Sequence, residues 1–306
     1  MSIKHLKGLC RSRARGAALL LVLWITALLA VILGGFAVLA RTELMQSRNL
    51  FDTIRARLAA EAGLARAVYE LNRGDQMTKW IADGRSYEIE FEGIGIEIVV
   101  QDESGKVDIN AADAATLQAM FVLAGAEDDV ARKLAAAVID WRDPDDLAQP
   151  EGAEDADYEA ADLPYGAADY PFRLAPELQQ VLGMDYELYR KVAEWITVYG
   201  GNGRPNAAFA PAALLPLFPG ITPEIAQQLV AQRHAMDAAQ MQATPLTMAD
   251  GQQLIAVGGS GNYTVRSSAT LPNGTEAAIE VTLRMGGGPG GRAYSVLRWR
   301  EPQTGL

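Results

Sequence analysis

The sequence predicts an α+β fold. A long N-terminal helix packs on a small antiparallel sheet, and a large all-α domain is inserted into that sheet. Three observations lead there. Residues 17–40 are an uncharged apolar run. Strand-like alternation occurs in two separated places, after Gly74 and again near the C-terminus. Between them lie about 150 alanine-rich residues with helical patterning. The chain's 306 residues allow two or three domains.

The first sixteen residues hold Lys4, Lys7, Arg11, Arg13 and Arg15 and no acid, whereas the chain as a whole has a formal net charge of −11. Removing those five positive charges leaves −16 for the remainder, so a short basic leader is joined to an acidic body. The apolar run AALLLVLWITALLAVILGGFAVLA has 24 residues. A helix of that length spans about 36 Å, enough to cross a bilayer. Basic residues before it and Glu43 after it predict a cytoplasmic leader and a body on the opposite side. A cleaved secretory signal fits less well, because its apolar core is shorter, about 7–15 residues, and ends at a small-residue cleavage site.

The helical pattern continues without proline to Asn72. Ser47, Phe51, Ile54, Leu58, Ala62, Ala65, Tyr69 and Asn72 recur at spacings of three and four, with Arg48, Arg55, Arg57, Glu61 and Arg66 off that stripe. The stripe serves either the chain's own sheet or a partner helix; periodicity does not separate the two. Gly34-Gly35 marks a soft point.

After Gly74 the period becomes two. Tyr87, Ile89 and Phe91 alternate with glutamates, and Ile94, Ile96, Ile98 and Val100 follow beyond Gly93. Asn262–Ser268, Glu276–Arg284 and Ala293–Arg300 read as three more strands, with Asn273-Gly274 as the first turn and Gly286–Gly291 as a looser second. The intervening segment reads as three helix pairs: Asp113–Leu123 with Asp128–Trp141, Pro176–Leu182 with Asp185–Val198, and Pro211–Phe218 with Pro223–Arg233. Thr222-Pro223 is an N-cap followed by a first-turn proline. An internal repeat is visible, because Asn110-Ala-Ala with Leu117 and Phe121 matches Asn206-Ala-Ala with Leu214 and Phe218. The predicted division is residues 1–16 as leader, 17–40 as transmembrane segment and 41–73 as amphipathic continuation. Residues 74–105 and 258–303 form a split sheet, and 106–257 the inserted α-domain.

Composition excludes several chemistries. Cys10 is the single cysteine, so an intrachain disulfide and a cysteine-rich zinc site are impossible. His5 and His234 are the only histidines, too few for a histidine metal centre and a poor supply for a triad. No Walker A or Rossmann glycine pattern occurs, since Gly286–Gly291 has no helix after it. The helix pairs resemble helix-hairpin-helix units, best at Leu217–Thr222. Glu127, Asp128, Asp129 and Glu224 at the hairpins would repel phosphate, which argues against nucleic acid.

The most unusual stretch is Asp140–Asp162. It carries ten carboxylates (Asp140, Asp143, Asp145, Asp146, Glu151, Glu154, Asp155, Asp157, Glu159, Asp162) and one base, Arg142. Oxygen donors without nitrogen or sulfur suit Ca²⁺, although the spacing is not that of an EF-hand. A solvated acidic surface is the alternative.

A basic leader ending in Gly16, followed at once by a long apolar helix, resembles the N-terminus of type IV prepilin-like proteins. That resemblance implies cleavage by prepilin peptidase between Gly16 and Ala17 and N-methylation of Ala17. The fifth mature residue in that class is usually Glu; here it is Leu21, as is typical of the minor pseudopilin K family of type II secretion systems. Gly105–Asn110, Val138–Asp143 and Gly152–Tyr158 look like signatures of the same family. The resemblance implies a pseudopilin fold with an inserted α-domain and no enzymatic activity. It implies a single-pass inner-membrane protein with a periplasmic body, capping the tip of a pseudopilus and helping to start its assembly for export of folded proteins. The partners implied are minor pseudopilins I and J, other pseudopilins and prepilin peptidase. A membrane-anchored subunit that recognises secreted substrates is the rival reading, and a membrane-tethered DNA-binding protein a weaker one. Calcium is implied in the α-domain, with Asp143, Asp145, Glu151, Glu154, Asp155 and Asp157 as ligands. Leu21 also has a physical consequence. In a pilus that Glu neutralises the terminal ammonium of a neighbour within lipid, where a lone charge is costly. A subunit with Leu21 offers an amine but no carboxylate, which suits the end of a filament.

Overall fold

A computed structural model describes residues 14–75, 78–243, 246–247, 253–254, 259–288 and 292–302. The predicted leader therefore lies outside the described residues up to residue 13, and the Gly16–Ala17 junction falls in the first turn of helix α1, Ala14–Leu71. The described chain divides into two units, one ending at Arg55 and the other starting at Ala56. The first is helix throughout and runs unbroken through Gly34-Gly35. It holds an 18-residue window of mean hydropathy 2.7, long and apolar enough to cross a membrane.

The second unit contains a five-stranded antiparallel sheet of order β1-β2-β7-β8-β9. Strands β1 (Asp83–Phe91) and β2 (Ile94–Asp102) precede the helical segment. Strands β7 (Asn262–Thr270), β8 (Glu276–Gly288) and β9 (Arg292–Arg300) follow it. Glu92 and Gly93 both have positive φ, 51° and 75°, the backbone a two-residue hairpin requires. At the predicted Asn273-Gly274 turn, Gly274 donates to the Leu271 carbonyl at 2.9 Å and Leu271 donates to that of Thr275 at 2.9 Å. Part of the glycine-rich third connection lies outside the described residues.

The inner face of the sheet carries Ile96, Ile98, Val100, Val265, Ala269, Ile279, Val281 and Leu283, all buried. Against it pack Ala56, Ala59, Ala60, Leu64, Ala67 and Leu71 of α1. The predicted stripe is not the packed one: Phe51, Ile54, Leu58 and Tyr69 are exposed, Leu58 at 57%. The reason is steric. A Cβ on Gly63 would stand 2.2 Å from Ser267 Oγ and 2.8 Å from Ile96 Cγ2, so at that point the helix approaches closely enough that only glycine fits. The buried face combines small residues at the closest approach with Leu64, Val68 and Leu71.

Between β2 and β7 the chain forms a second hydrophobic core. Helices α2 (Ala114–Leu123) and α3 (Asp128–Arg142) make the first predicted pair, with Asp113 Oδ1 accepting from Thr116 N at 2.8 Å as the N-cap. A short α4 (Asp155–Ala160) follows. Two corrections apply beyond it. Helix α5 covers only Tyr186–Val192. The rest of the predicted helix gives strand β4 (Ile196–Thr197), which pairs in parallel with β3 (Val107–Asp108). Val107 N donates to Trp195 O at 2.9 Å, and Ile196, Thr197 and Val198 are β-branched residues suited to that conformation. Residues 175–180 and 215–217 are single 3₁₀ segments. Pro211, Pro216 and Pro219 leave no room for a full α-helix in the third pair. Its second member, α6 (Pro223–His234), forms as expected and is followed by α7 (Ala238–Ala243) and the short pair β5 (Leu246–Thr247) and β6 (Gln253–Leu254). The segment is thus mainly, rather than wholly, helical.

Two buried clusters fasten it to the sheet. Asp102 is fully buried and accepts from Ser104 N at 2.8 Å and Ser260 Oγ at 2.8 Å, tying the exit from β2 to the return into β7. Asp83, also buried, pairs with Arg85 at 2.8 Å and with Arg233 of α6 at 3.2 Å. Arg233 further donates to the carbonyls of Ala207 and Ala210, and Arg85 to those of Arg233 and Met236.

Candidate functional site

The acidic loop begins where the last turn of α3 turns Asp140 inward. Asp140 is fully buried. Its carboxylate accepts from Gln149 N at 3.0 Å and Ala153 N at 2.7 Å. Gly152 makes this wrap possible, because a Cβ there would lie 1.8 Å from Asp140 Oδ2. Burial holds the Asp140 carboxyl above its usual range, the two N–H donors work against it, and Asp143 and Asp157 add to the rise.

That wrap delivers Glu154 to the interior, 7% exposed. Its carboxyl is pushed up to about 7, first by burial and then by Asp140, Asp169, Asp143 and Asp146. Glu154 Oε1, Asp143 Oδ1 and Asp169 Oδ1 are shielded from solvent and have no hydrogen-bond partner. Burial also raises Asp169, helped by Asp155, Asp146 and Asp143. The one base within the run faces away: Arg142 donates to the carbonyls of Ile109 and Ala112. Beneath the loop lies an aromatic floor, with Trp141 stacked on Phe172 at 6.0 Å and tilted against Tyr158 at 5.9 Å. Asn110 holds the far side by accepting from Phe172 N at 2.8 Å and donating to Phe172 O at 2.9 Å.

Three orphaned carboxylate oxygens without a neutralising base are donors of the type a hard divalent cation takes. Among the described residues, no group of three or more His, Cys, Asp or Glu side chains stands close enough together to hold a metal ion as placed. Of the six predicted ligands, Asp143, Glu154 and Asp155 stand in or beside the cluster. Asp155 also accepts from Ala167 N at 3.0 Å, and the other three have partners elsewhere. Glu151 pairs with Arg132 at 2.7 Å, Asp145 accepts from Leu147 N at 3.0 Å, and Asp157 accepts from Glu154 N at 3.0 Å as part of the α4 cap. Asp146 and Asp169 belong to the same electrostatic group and are not in the predicted set. Asp169 lies beyond the acidic run, so charge density along the sequence does not find it. Its backbone is left-handed, φ 49°, at the point where the chain turns back toward the loop.

A second feature lies on α1. Opposite the small-residue face, Leu58 and Tyr69 stand exposed at 57% and 60%, and Phe51 and Ile54 continue that stripe toward the N-terminus. Leu21 is exposed within the apolar run.

Comparison with known proteins follows these features. Residues 96–201 match the family model for type II secretion system protein K, a span that includes the acidic loop. The chain is thus similar to type II secretion system protein K in that span, and the similarity extends beyond it in relatives of that name. It is 29% identical over 211 residues to type II secretion system protein K of Pectobacterium carotovorum subsp. carotovorum, covering 61% of this chain and 63% of that protein. It is 27% identical over 234 residues to the Klebsiella pneumoniae protein K, covering 67% of this chain and 71% of that one. The match thus spans just under two thirds of the Pectobacterium relative's length. A chain from the crystal structure of the GspK-GspI-GspJ complex of the enterotoxigenic Escherichia coli type 2 secretion system has the same fold. It gives a TM-score of 0.55 at 20% identity, covering 87% of this chain and 99% of that one.

Proposed function

We propose that this chain is a minor pseudopilin of a type II secretion system, capping the tip of the pseudopilus and helping to start its assembly. The observation that carries the reading is the division of α1 into two faces. The small-residue face is used up on the chain's own sheet, while the bulky apolar face through Leu58 and Tyr69 is left outward, available to helices of neighbouring subunits. The related E. coli chain is found in a complex with GspI and GspJ, which supports minor pseudopilins I and J as the partners. Leu21 supplies no carboxylate to a subunit above it, which favours the terminal position. In this reading the apolar helix anchors the chain once in the inner membrane, with the leader cytoplasmic and the body periplasmic. Prepilin peptidase removes residues 1–16 and methylates Ala17.

The reading includes a calcium ion in the acidic loop. Asp143, Glu154 and Asp169 would hold it, with Asp146 and Asp155 beside them and Asp140 fixing the loop from beneath. The ion would supply the positive charge that Arg142 does not. Its role is structural, and no enzymatic step is assigned to the chain.

The test is co-expression with pseudopilins I and J followed by affinity capture in mild detergent. The wild type is expected to retain both partners, and Leu58→Asp to lose them while keeping its melting temperature. Retention by Leu58→Asp refutes the helix surface. An intact mass from native membranes that still includes residues 1–16 refutes the pseudopilin class.

A further inference from the structure

Successive side chains of a strand alternate between faces, so the residues between those of the inner core form an outer face. On this sheet the outer face holds Thr264, Arg266, Glu280, Thr282, Arg298 and Arg300, and it lines a cleft of about 540 Å³ whose opposite wall comes from the helical segment. That volume is in the range of built ligand sites. Tyr189, Trp195 and Tyr199 contribute aromatic surface to the second wall.

The charges of the cleft are informative because the chain around them is acidic. Several of its cations are committed: Arg300 to Glu280 at 2.6 Å, Lys106 to Glu103 at 2.7 Å, and Arg233 to Asp83 at 3.2 Å. Arg266 and Arg298 form no ion pair with a carboxylate among the described residues. Arg298 stands near Tyr189 and Tyr199; burial raises both phenols, and its charge offsets part of that rise. A guanidinium in a cleft with no ion pair of its own is available to an anionic guest.

The register fixes the shape of that guest. Arg266 pairs across to Glu280, and Arg298 pairs to Thr282. The two arginines therefore stand on strands separated by β8 and offset by two residues, about 12 Å apart at the backbone. An extended peptide with acidic residues about three or four positions apart spans that backbone distance, at about 3.3–3.6 Å per residue.

We propose that this cleft binds an extended acidic peptide segment of another protein, with Arg266 and Arg298 each receiving one carboxylate and the aromatic wall covering the segment between them. The site shares no residue with α1, so it stands or falls independently of the helix surface argued above.

Fluorescence anisotropy tests it, using the full chain in neutral detergent. The probe is a short labelled peptide with two glutamates about three or four residues apart. Saturable binding is expected, weakened about tenfold or more when both glutamates become glutamines. Arg266→Ala and Arg298→Ala should each weaken it about tenfold, and free succinate should not displace the peptide. Arg266 is exposed, so its removal leaves folding intact; an unchanged melting temperature confirms this for both variants. Equal binding of the glutamine peptide overturns the proposal whatever the variants do. So does unchanged affinity in both folded arginine variants. Displacement by succinate at the peptide's own affinity assigns the cleft to small carboxylates instead.

Discussion

Glu154→Gln isolates the electrostatic cost of the acidic loop, because it preserves side-chain shape and removes only the charge. In the folded chain the Glu154 carboxyl is pushed up to about 7 from an ordinary 4.5, by burial first and then by neighbouring aspartates. Between those two values the folded state binds more protons than the unfolded state. Stability therefore falls as pH rises through this window and levels off above it. At 1.36 kcal/mol per pH unit the ceiling is about 3 kcal/mol, which solvent around the exposed neighbours of Glu154 reduces to about 1–2 kcal/mol. For a body of this size that is about 3–6 °C in Tm. Near-UV circular dichroism melts of the full chain in neutral detergent with EDTA, from acid to slightly alkaline pH, measure it. The wild type should lose this increment between pH 4.5 and about 7, and Glu154→Gln should show a flatter profile. Calcium at about a hundred times its Kd should return about 2.7 kcal/mol to the wild type above that window, and less to the variant. Parallel pH profiles, or equal stabilisation by calcium, would refute both the buried-charge reading and the assignment of Glu154 to the ion.

Other substitutions test the frame around the site. Gly63→Val drives carbon into Ser267 Oγ and Ile96 and should cost about 2–3 kcal/mol in urea unfolding, with part recovered by adding Ser267→Ala. Arg233→Ala removes one partner of the buried Asp83 and should cost about 3 kcal/mol, measured the same way. Asn110→Ala breaks both hydrogen bonds to Phe172 and should cost about 2 kcal/mol, with faster hydrogen exchange at the Phe172 amide.

Much of the architecture was legible because it is written locally. The charge step at residue 16, the apolar run after it, the change to period two beyond Gly74, the Asp113 and Thr222 caps and the Asn273-Gly274 turn depend on residues within a few positions of one another. So does the presence of an acidic loop. Tertiary structure decided the rest. It chose the face of α1 with Gly63 and the buried alanines over the bulkier stripe, because the helix comes so near the sheet at Gly63 that a Cβ there would clash. It turned Ile196–Thr197 into a strand, since the backbone of Val107–Asp108 offered hydrogen bonds that a further helical turn could not match. It also brought Asp169 to Glu154 while giving Glu151 to Arg132 and Asp157 to a helix cap. Local sequence sets what each segment can do at its own spacing. Which residues share a buried site depends on distances between segments that only the packed chain defines.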